Sequence, residues 1–359
     1  MTKKKKVIVA MSGGVDSSIA AYLLLEQGYE VIGATMRLWE CEKNEDMKYS
    51  FLNSVQDAKK VAKSLNIPHY VFNMKVPFRN KVMDYFVKEY LAGKTPNPCI
   101  ACNKHIKFGD FLEEAQKLNA DYIATGHYAI ISHDKRSNKY LIKKAVDNEK
   151  DQSYFLYNLT QNQLRNLLMP LGRYTKDEIR KKASELGLNV AHKKDSQEIC
   201  FVPKNDYKQF IKDKVTTKIV PGSILNSHGE KIGEHRGIAY YTIGQRRGLG
   251  IAKGVPLYVV DIDKNNNTLI VGERHELQSK GLIAKEINLI SLDKLEEPLN
   301  IKAKVRYNTR EKEALITPLA DNLVQVIFHE PEFAITPGQS VVFYDNDLLI
   351  GGGVISRKI

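Results

Sequence analysis

The stretch that most restricts this chain is "VIVAMSGGVDSSIAAYLL", residues 7 to 24. A strand-length apolar run meets a Ser-Gly-Gly loop. A helical pattern with Ile19, Tyr22, Leu23 and Leu25 among its apolar positions follows at once. Strand, glycine loop and helix in that order belong to a parallel α/β sheet. Glycines let the loop turn tightly and bring backbone close to a ligand. The helix start then offers unpaired N–H groups and the positive end of its dipole. Ser12, Ser17 and Ser18 add hydroxyl donors around Gly13, Gly14, Val15 and Asp16, so the loop suits a phosphate or pyrophosphate. The plainer alternative is an ordinary strand-to-helix turn with Asp16 as N-cap. There is no Walker-type glycine–lysine loop and no G-x-G-x-x-G, which argues against γ-phosphoryl transfer and against a dinucleotide site.

The same alternation runs through the first 130 residues. "EVIGATMRLW" and "HYVFNM" read as strands, as does "DYIATGHYA". "SVQDAKKVAKSLNI", "FRNKVMDYFVKEYLAG" and "KFGDFLEEAQKLNA" read as helices. "TKDEIRKKASELGL" is a further helix, with Thr175 as N-cap and Gly187 near its end. This rhythm predicts a doubly wound parallel sheet with ligands at the carboxyl ends of its strands. Met36 ends the second strand, and Gly126 and His127 follow a later one, so all three belong at that edge. After about residue 205 helical periodicity is expected to vanish, and short glycine-punctuated strands take over. "PLYVVDIDKNNNTLIVGER" and "QSVVFYDNDLLIGGGVI" read as hairpins. The predicted division is an α/β phosphate-binding domain over 1–205, a small β-rich domain over 206–280 and a β barrel over 281–359.

The chain has 359 residues, 43% of them hydrophobic and 27% charged, the balance of an ordinary globular protein. No apolar run reaches the roughly 18 residues of a membrane helix, and "MTKKKK" leads into a strand and not into a signal peptide. The expectation is a cytoplasmic protein with no membrane partner. There, its four cysteines serve better as ligands or catalysts than as disulfide staples. A net charge of +12 draws a polyanion such as nucleic acid.

"TPNPCIACNKHIKF" pairs Cys99 and Cys102 as C-x-x-C ahead of a predicted helix. On its own the spacing leaves a zinc knuckle, a disulfide, a redox dithiol and a catalytic site open. Lys104, His105 and Lys107 lie close by, and a thiolate near a helix start or a lysine is expected to have a depressed pKa. Cys200 stands far along the chain in "KKDSQEICFVP", while Cys41 in "LWECEK" has no assigned role.

The loop "SGGVDSS" after the first strand resembles that of the ATP-pyrophosphatase, or PP-loop, superfamily, of adenine nucleotide alpha hydrolase-like fold. With "GKTPNPCIACNKHIKF", "ATGHYA", "KDQSYFLY", "KKDSQEICFVP" and "TIGQRRGLG", in that order, it is similar to the tRNA-specific 2-thiouridylase family. The last domain matches more loosely, through "KVRYN" and "PGQSVVFY". The resemblance implies ATP, with Mg2+, bound by Ala10, Met11, Ser12, Gly13, Gly14, Val15, Asp16, Ser17, Met36 and Gly126. It implies adenylation of the C2 oxygen of a tRNA wobble uridine, then replacement of AMP by sulfur. Cys200 resembles the persulfide carrier, loaded by an upstream donor such as a cysteine desulfurase or sulfur-relay protein. Cys102 resembles the nucleophile that frees the sulfur or closes a disulfide with Cys200. Contacts to the tRNA anticodon stem-loop are implied at Lys150, Asp151, Gln152, His127, Arg306, Tyr307 and Gln339. Asn97, Pro98 and Cys99 would flank the target base, flipped out of its stack. The enzyme is expected to work as a monomer.

At position 99 many members of that family have Asp, so an acid/base role there is in doubt. Three thiols, Cys99, Cys102 and Cys200, suggest a second mechanism, a 4Fe–4S cluster with one open iron. A structural zinc with His105 ranks below both. Two rival functions stay open: a PP-loop ligase or amidotransferase acting on a small molecule, and a non-catalytic tRNA-binding Fe–S protein.

Overall fold

The computed structural model describes residues 4–39, 45–191, 193, 199–216, 218–251 and 254–359. Cys41 therefore lies outside the described residues, as do residues 194–198 ahead of Cys200. The chain forms two compact units, one of residues 1–82, 99–201 and 347–349, the other of 83–98, 202–346 and 350–359.

In chain order the α/β elements begin with β1 (Lys6–Ala10), α1 (Val15–Glu26), β2 (Glu30–Arg37), α2 (Glu45–Ser64), β3 (His69–Asn73) and α3 (Lys75–Phe78). The helix α4 (Asp84–Leu91), which belongs to the second unit, comes next. Then follow α5 (Pro98–Ala101), α6 (Phe111–Lys117), β4 (Tyr122–Ala124), β5 (Ile130–Asp134), β6 (Lys139–Lys143), α7 (Gln161–Arg165), β7 (Leu167–Leu168) and α8 (Lys176–Glu185). Five strands form a parallel sheet in the order β3-β2-β1-β4-β7. Val7, Ile8 and Val9 of β1 are fully buried, as the central strand of a sheet covered on both faces requires. Ile19, Leu23 and Leu24 of α1 share one core with Val61 of α2 and Ile179 and Ala183 of α8. The start of α8 is set by a capping box: Thr175 Oγ1 accepts from Glu178 N, and the Glu178 carboxylate accepts from Thr175 N. Chain order reverses about β1, so the topological switch point lies at the carboxyl ends of β1 and β4.

One predicted helix differs in a way that matters. "KFGDFLEEAQKLNA" was expected to open the helix after the cysteines. Instead the helical path begins at Pro98, runs through α5 and nine π-helical residues, Cys102–Asp110, and ends in α6. Cys99 and Cys102 therefore lie within the helical run and not before it. Wide turns of this kind often mark functional sites.

The second unit also corrects an expectation. Helical structure does not stop at 205, because α9 (Tyr207–Lys214) follows, capped by the Asp206 carboxylate accepting from Gln209 N. Only Phe210 and Ile211 are buried in it, too few to show a period. Tertiary packing makes it a helix: Tyr207 stacks on Tyr90 at 4.7 Å and Phe210 meets Phe86 edge-on at 6.0 Å. Next come β8 (Gly222–Asn226), β9 (Lys231–His235), β10 (Tyr258–Asp263) and β11 (Thr268–Gly272), a sheet in the order β10-β11-β8-β9. The last elements are β12 (Gln278–Leu289), β13 (Leu299–Lys304), β14 (Lys312–Pro318), β15 (Val324–Phe333), β16 (Ser340–Asp345) and β17 (Leu348–Lys358). β12 pairs with both β15 and β17, which closes these six strands into a barrel. Closure removes exposed sheet edges. The expected doubly wound sheet, β-rich middle part and terminal barrel are all present.

Candidate active site

The glycine loop sits at the switch point. Past the buried Ala10 and Met11, the loop turns at Gly13 with φ +70°, and α1 begins at Val15. A Cβ on Gly13 would stand 2.3 Å from the Ser54 carbonyl oxygen, so only glycine fits there. The residue before α1 is Gly14, and no side chain caps the helix. Asp16 is therefore not the N-cap, and the first amides of α1 stay open to an anion. The serines divide their duties. Ser18 Oγ is fully buried and donates to Gly14 O at 2.8 Å, and Ser17 Oγ accepts from Ser12 N at 3.2 Å. Of the three expected hydroxyl donors, only Ser12 is exposed. Lys193 adds a tie to this loop that the sequence did not announce: its Nζ donates to Gly13 O and to Asp57 Oδ2, both at 2.9 Å.

Gly126 and His127 reach the same edge, for reasons of packing. A Cβ on Gly126 would lie 2.8 Å from both Asp16 C and Ser17 N, so this glycine lets β4 close on the start of α1. His127 is buried against the Phe108 ring, centroids 5.5 Å apart, with Nδ1 on Thr125 Oγ1 at 2.8 Å. Burial, helped by nearby Lys107, holds its pKa well below the ordinary range. That direction favours the neutral ring over a cationic one. Met36 is half-buried in β2, opposite Phe72 of β3.

The loop's own carboxylate is already engaged. Lys176 Nζ donates to both Asp16 oxygens at 2.8 Å, and Tyr128 OH donates to Oδ1 at 2.8 Å. Mg2+ in nucleotide sites takes one or two protein carboxylates together with phosphate oxygens. Lys176 and Tyr128 take up three of the acceptor positions of the Asp16 carboxylate, which stays partly exposed.

Cys99, Cys102 and Cys200 are three thiols of the first unit. Cys102 is 7% exposed, whereas Cys99 and Cys200 reach the surface. Their pKa values overturn the expected depression. Burial pushes Cys102 up to about 11. Burial, then the neighbouring Cys102 and Cys99, pushes Cys200 up to about 12. Cys99 rises through burial as well. Although Cys99 and Cys200 touch solvent, enough protein surrounds them for desolvation to dominate. Lys107 pulls all three down but does not win. The thiols sense one another, since ionising Cys102 or Cys99 opposes ionising Cys200. Among the described residues, no three His, Cys, Asp or Glu side chains are disposed to share a metal ion. His105 thus joins no such group with the thiols as folded.

Of the residues singled out for tRNA, several are occupied by the fold. Asp151 is buried, its Oδ1 accepting from Ala145 N and Ser153 N and its Oδ2 from Ser153 Oγ. Gln152 locks onto Tyr128 through its backbone N at 2.8 Å and its side-chain Oε1 at 3.0 Å. Lys150 is half-buried. In the second unit Arg306 donates to Ala334 O and Thr336 Oγ1, and Lys304 Nζ lies 5.5 Å from the Tyr307 ring centre. Gln339 Nε2 donates to Thr95 O at 2.8 Å, and Thr95 N to Pro337 O at 3.0 Å. The "PGQS" turn thus grips the "TPNP" segment that carries Asn97 and Pro98, a pairing across more than two hundred residues with no local signal. Lys176 did carry a faint one. A lysine in the first turn of a helix opposes the dipole.

Three family models cover this chain: a "tRNA methyl transferase HUP domain" over residues 5–204, a "tRNA methyl transferase PRC-barrel domain" over 208–273 and an "Aminomethyltransferase beta-barrel domain" over 279–355. A tRNA-specific 2-thiouridylase of Acetivibrio thermocellus is 55% identical over 98% of this chain and 99% of its own length. The chain belongs to the tRNA-specific 2-thiouridylase family. Another member, from Caldanaerobacter subterraneus, is 54% identical over the whole of both chains. One from Clostridioides difficile is 50% identical, also over both full lengths. Within this family fold, the open α1 start and the three thiols lie in the HUP domain.

Proposed function

We propose that this chain thiolates a tRNA uridine, using ATP to activate the C2 oxygen of the wobble base. The observation that carries the reading is the pairing, within one unit, of an uncapped glycine loop with three mutually sensitive thiols. The name of the first family model speaks of methyl transfer, whereas the full-length relatives are named for thiolation. The thiols favour the second. The loop amides and Ser12 hold the pyrophosphate while the uridine oxygen attacks the α-phosphorus. Cys200 carries a persulfide received from a cysteine desulfurase or sulfur-relay protein. The Cys102 thiolate attacks Cys200 Sγ, a Cys102–Cys200 disulfide forms and hydrosulfide leaves. Hydrosulfide adds to C2, AMP departs with the original oxygen, and an external thiol reduces the disulfide. Cys99 stays beside the target base and contributes bulk and polarity in place of a carboxylate. The division at about 205 and 280 and a cytoplasmic monomer acting on the anticodon stem-loop belong to the same proposal.

The test is mass spectrometry of tRNA incubated anaerobically with enzyme, ATP and a sulfur donor, with iron and sulfide assayed alongside. A uridine heavier by the difference between sulfur and oxygen supports thiolation. Unmodified tRNA with consumed ATP points to a different ligase. Cys102→Ser and Cys200→Ser should abolish the product and keep ATP binding; full turnover in either removes that cysteine from the mechanism.

A further inference from the structure

Lys176 stands in an unusual place. It follows the Thr175 cap directly, where the helix dipole favours acidic side chains, yet it is 6% exposed. A buried ammonium needs a partner, and Asp16 supplies both carboxylate oxygens at 2.8 Å. Tyr128 OH closes on the same carboxylate from another segment. Gly126, two residues earlier, packs against the backbone of Asp16 and Ser17 with no room for a Cβ. Two segments distant in sequence thus converge on a residue whose side chain has no capping duty in its own helix. An unbalanced Asp16 would direct negative charge at the loop meant for a polyphosphate, and it would free the first turn of α1 to shift.

We propose that Lys176 is a positioning residue of the phosphate loop, neutralising Asp16 and holding the first turn of α1 so that its amides face the phosphates of ATP. This rests on the ATP reading given above. Lys176 acts through Asp16 and does not touch the reacting atoms. Its loss therefore falls on ATP binding and leaves the chemical step at saturating ATP untouched.

The experiment compares ATP binding and tRNA thiolation kinetics for the wild type, Lys176→Met, Tyr128→Phe and the double variant Lys176→Met with Asp16→Asn. Wild-type protein that fails to bind ATP overturns the reading of the loop itself. Wild type that binds ATP while Lys176→Met binds it equally well overturns the clamp alone. The expected result is a rise in KM for ATP of about tenfold or more in Lys176→Met, with kcat within about twofold. Adding Asp16→Asn should restore KM to within about threefold of wild type, because a neutral amide needs no counter-charge. Tyr128→Phe should raise KM by about two- to threefold with kcat unchanged, alongside a fall in melting temperature of a few degrees. It decides the matter if Lys176→Met does not fold, since an unchanged KM there overturns the clamp. A loss confined to kcat, or a double variant no better than the single one, also overturns it.

Discussion

The role proposed for Cys102 makes a quantitative demand on pH. Its thiol is pushed up to about 11 by burial, against the pull of Lys107, with Cys99 adding to the rise. At pH 8 about one molecule in a thousand then carries the thiolate, against about one in ten for an ordinary thiol of pKa 9.0. More basic thiolates are better nucleophiles, and a Brønsted slope of about 0.45 returns about eightfold of that hundredfold deficit. Cys102 should therefore react about tenfold more slowly than an ordinary thiol at pH 8, before any loss through poor access. Access lowers every rate alike and leaves the midpoint where it is. The assay is alkylation by iodoacetamide at several pH values, with the Cys102 peptide resolved by mass spectrometry. The rate should climb about tenfold per pH unit to about pH 10 with no plateau. A plateau below about pH 9 would refute the argument, because Lys107 and the helix would then outweigh desolvation. Stability follows the same sign. The folded-state pKa is raised, so the contribution is intact below the ordinary thiol value. It is lost as pH climbs toward about 11, by about 1.4 kcal/mol per pH unit and about 3 kcal/mol in all. Urea unfolding of wild type and Cys102→Ala at pH 8 and at alkaline pH should show a loss about 3 kcal/mol smaller in the variant, where the raised Cys99 and Cys200 still contribute.

Asp151→Ala strands the donors of Ala145 and Ser153 and should cost about 2–4 kcal/mol in urea unfolding. Weaker tRNA binding at unchanged stability would instead make Asp151 a contact residue. Gly126→Ala gains about 0.4–1 kcal/mol from a stiffer unfolded chain but forces a Cβ within 2.8 Å of the Asp16 and Ser17 backbone. Overpacking costs about 1–3 kcal/mol, so a net loss of stability and weaker ATP binding are expected. A melting temperature equal to wild type would refute that reading of the glycine.

The sequence by itself determined the parallel sheet, the glycine loop and the identity of the three thiols. These signals are local: β1 is apolar from Val7 to Ala10 because both its faces are covered, and the loop needs glycine where φ is positive. Thr175 and Glu178 announce α8 within four residues. The helix α9 escaped, because its helical state depends on stacking against Tyr90 and Phe86, more than a hundred residues earlier. The clamp on Asp16, the grip of Gln339 on Thr95 and the burial of Asp151 escaped likewise. Each is a meeting of side chains that only the folded chain brings together. The thiols show the difference most clearly. Lysines nearby in sequence argued for a lowered pKa, yet the tertiary structure raised it, because desolvation depends on everything that surrounds a sulfur and one favourable charge does not offset it.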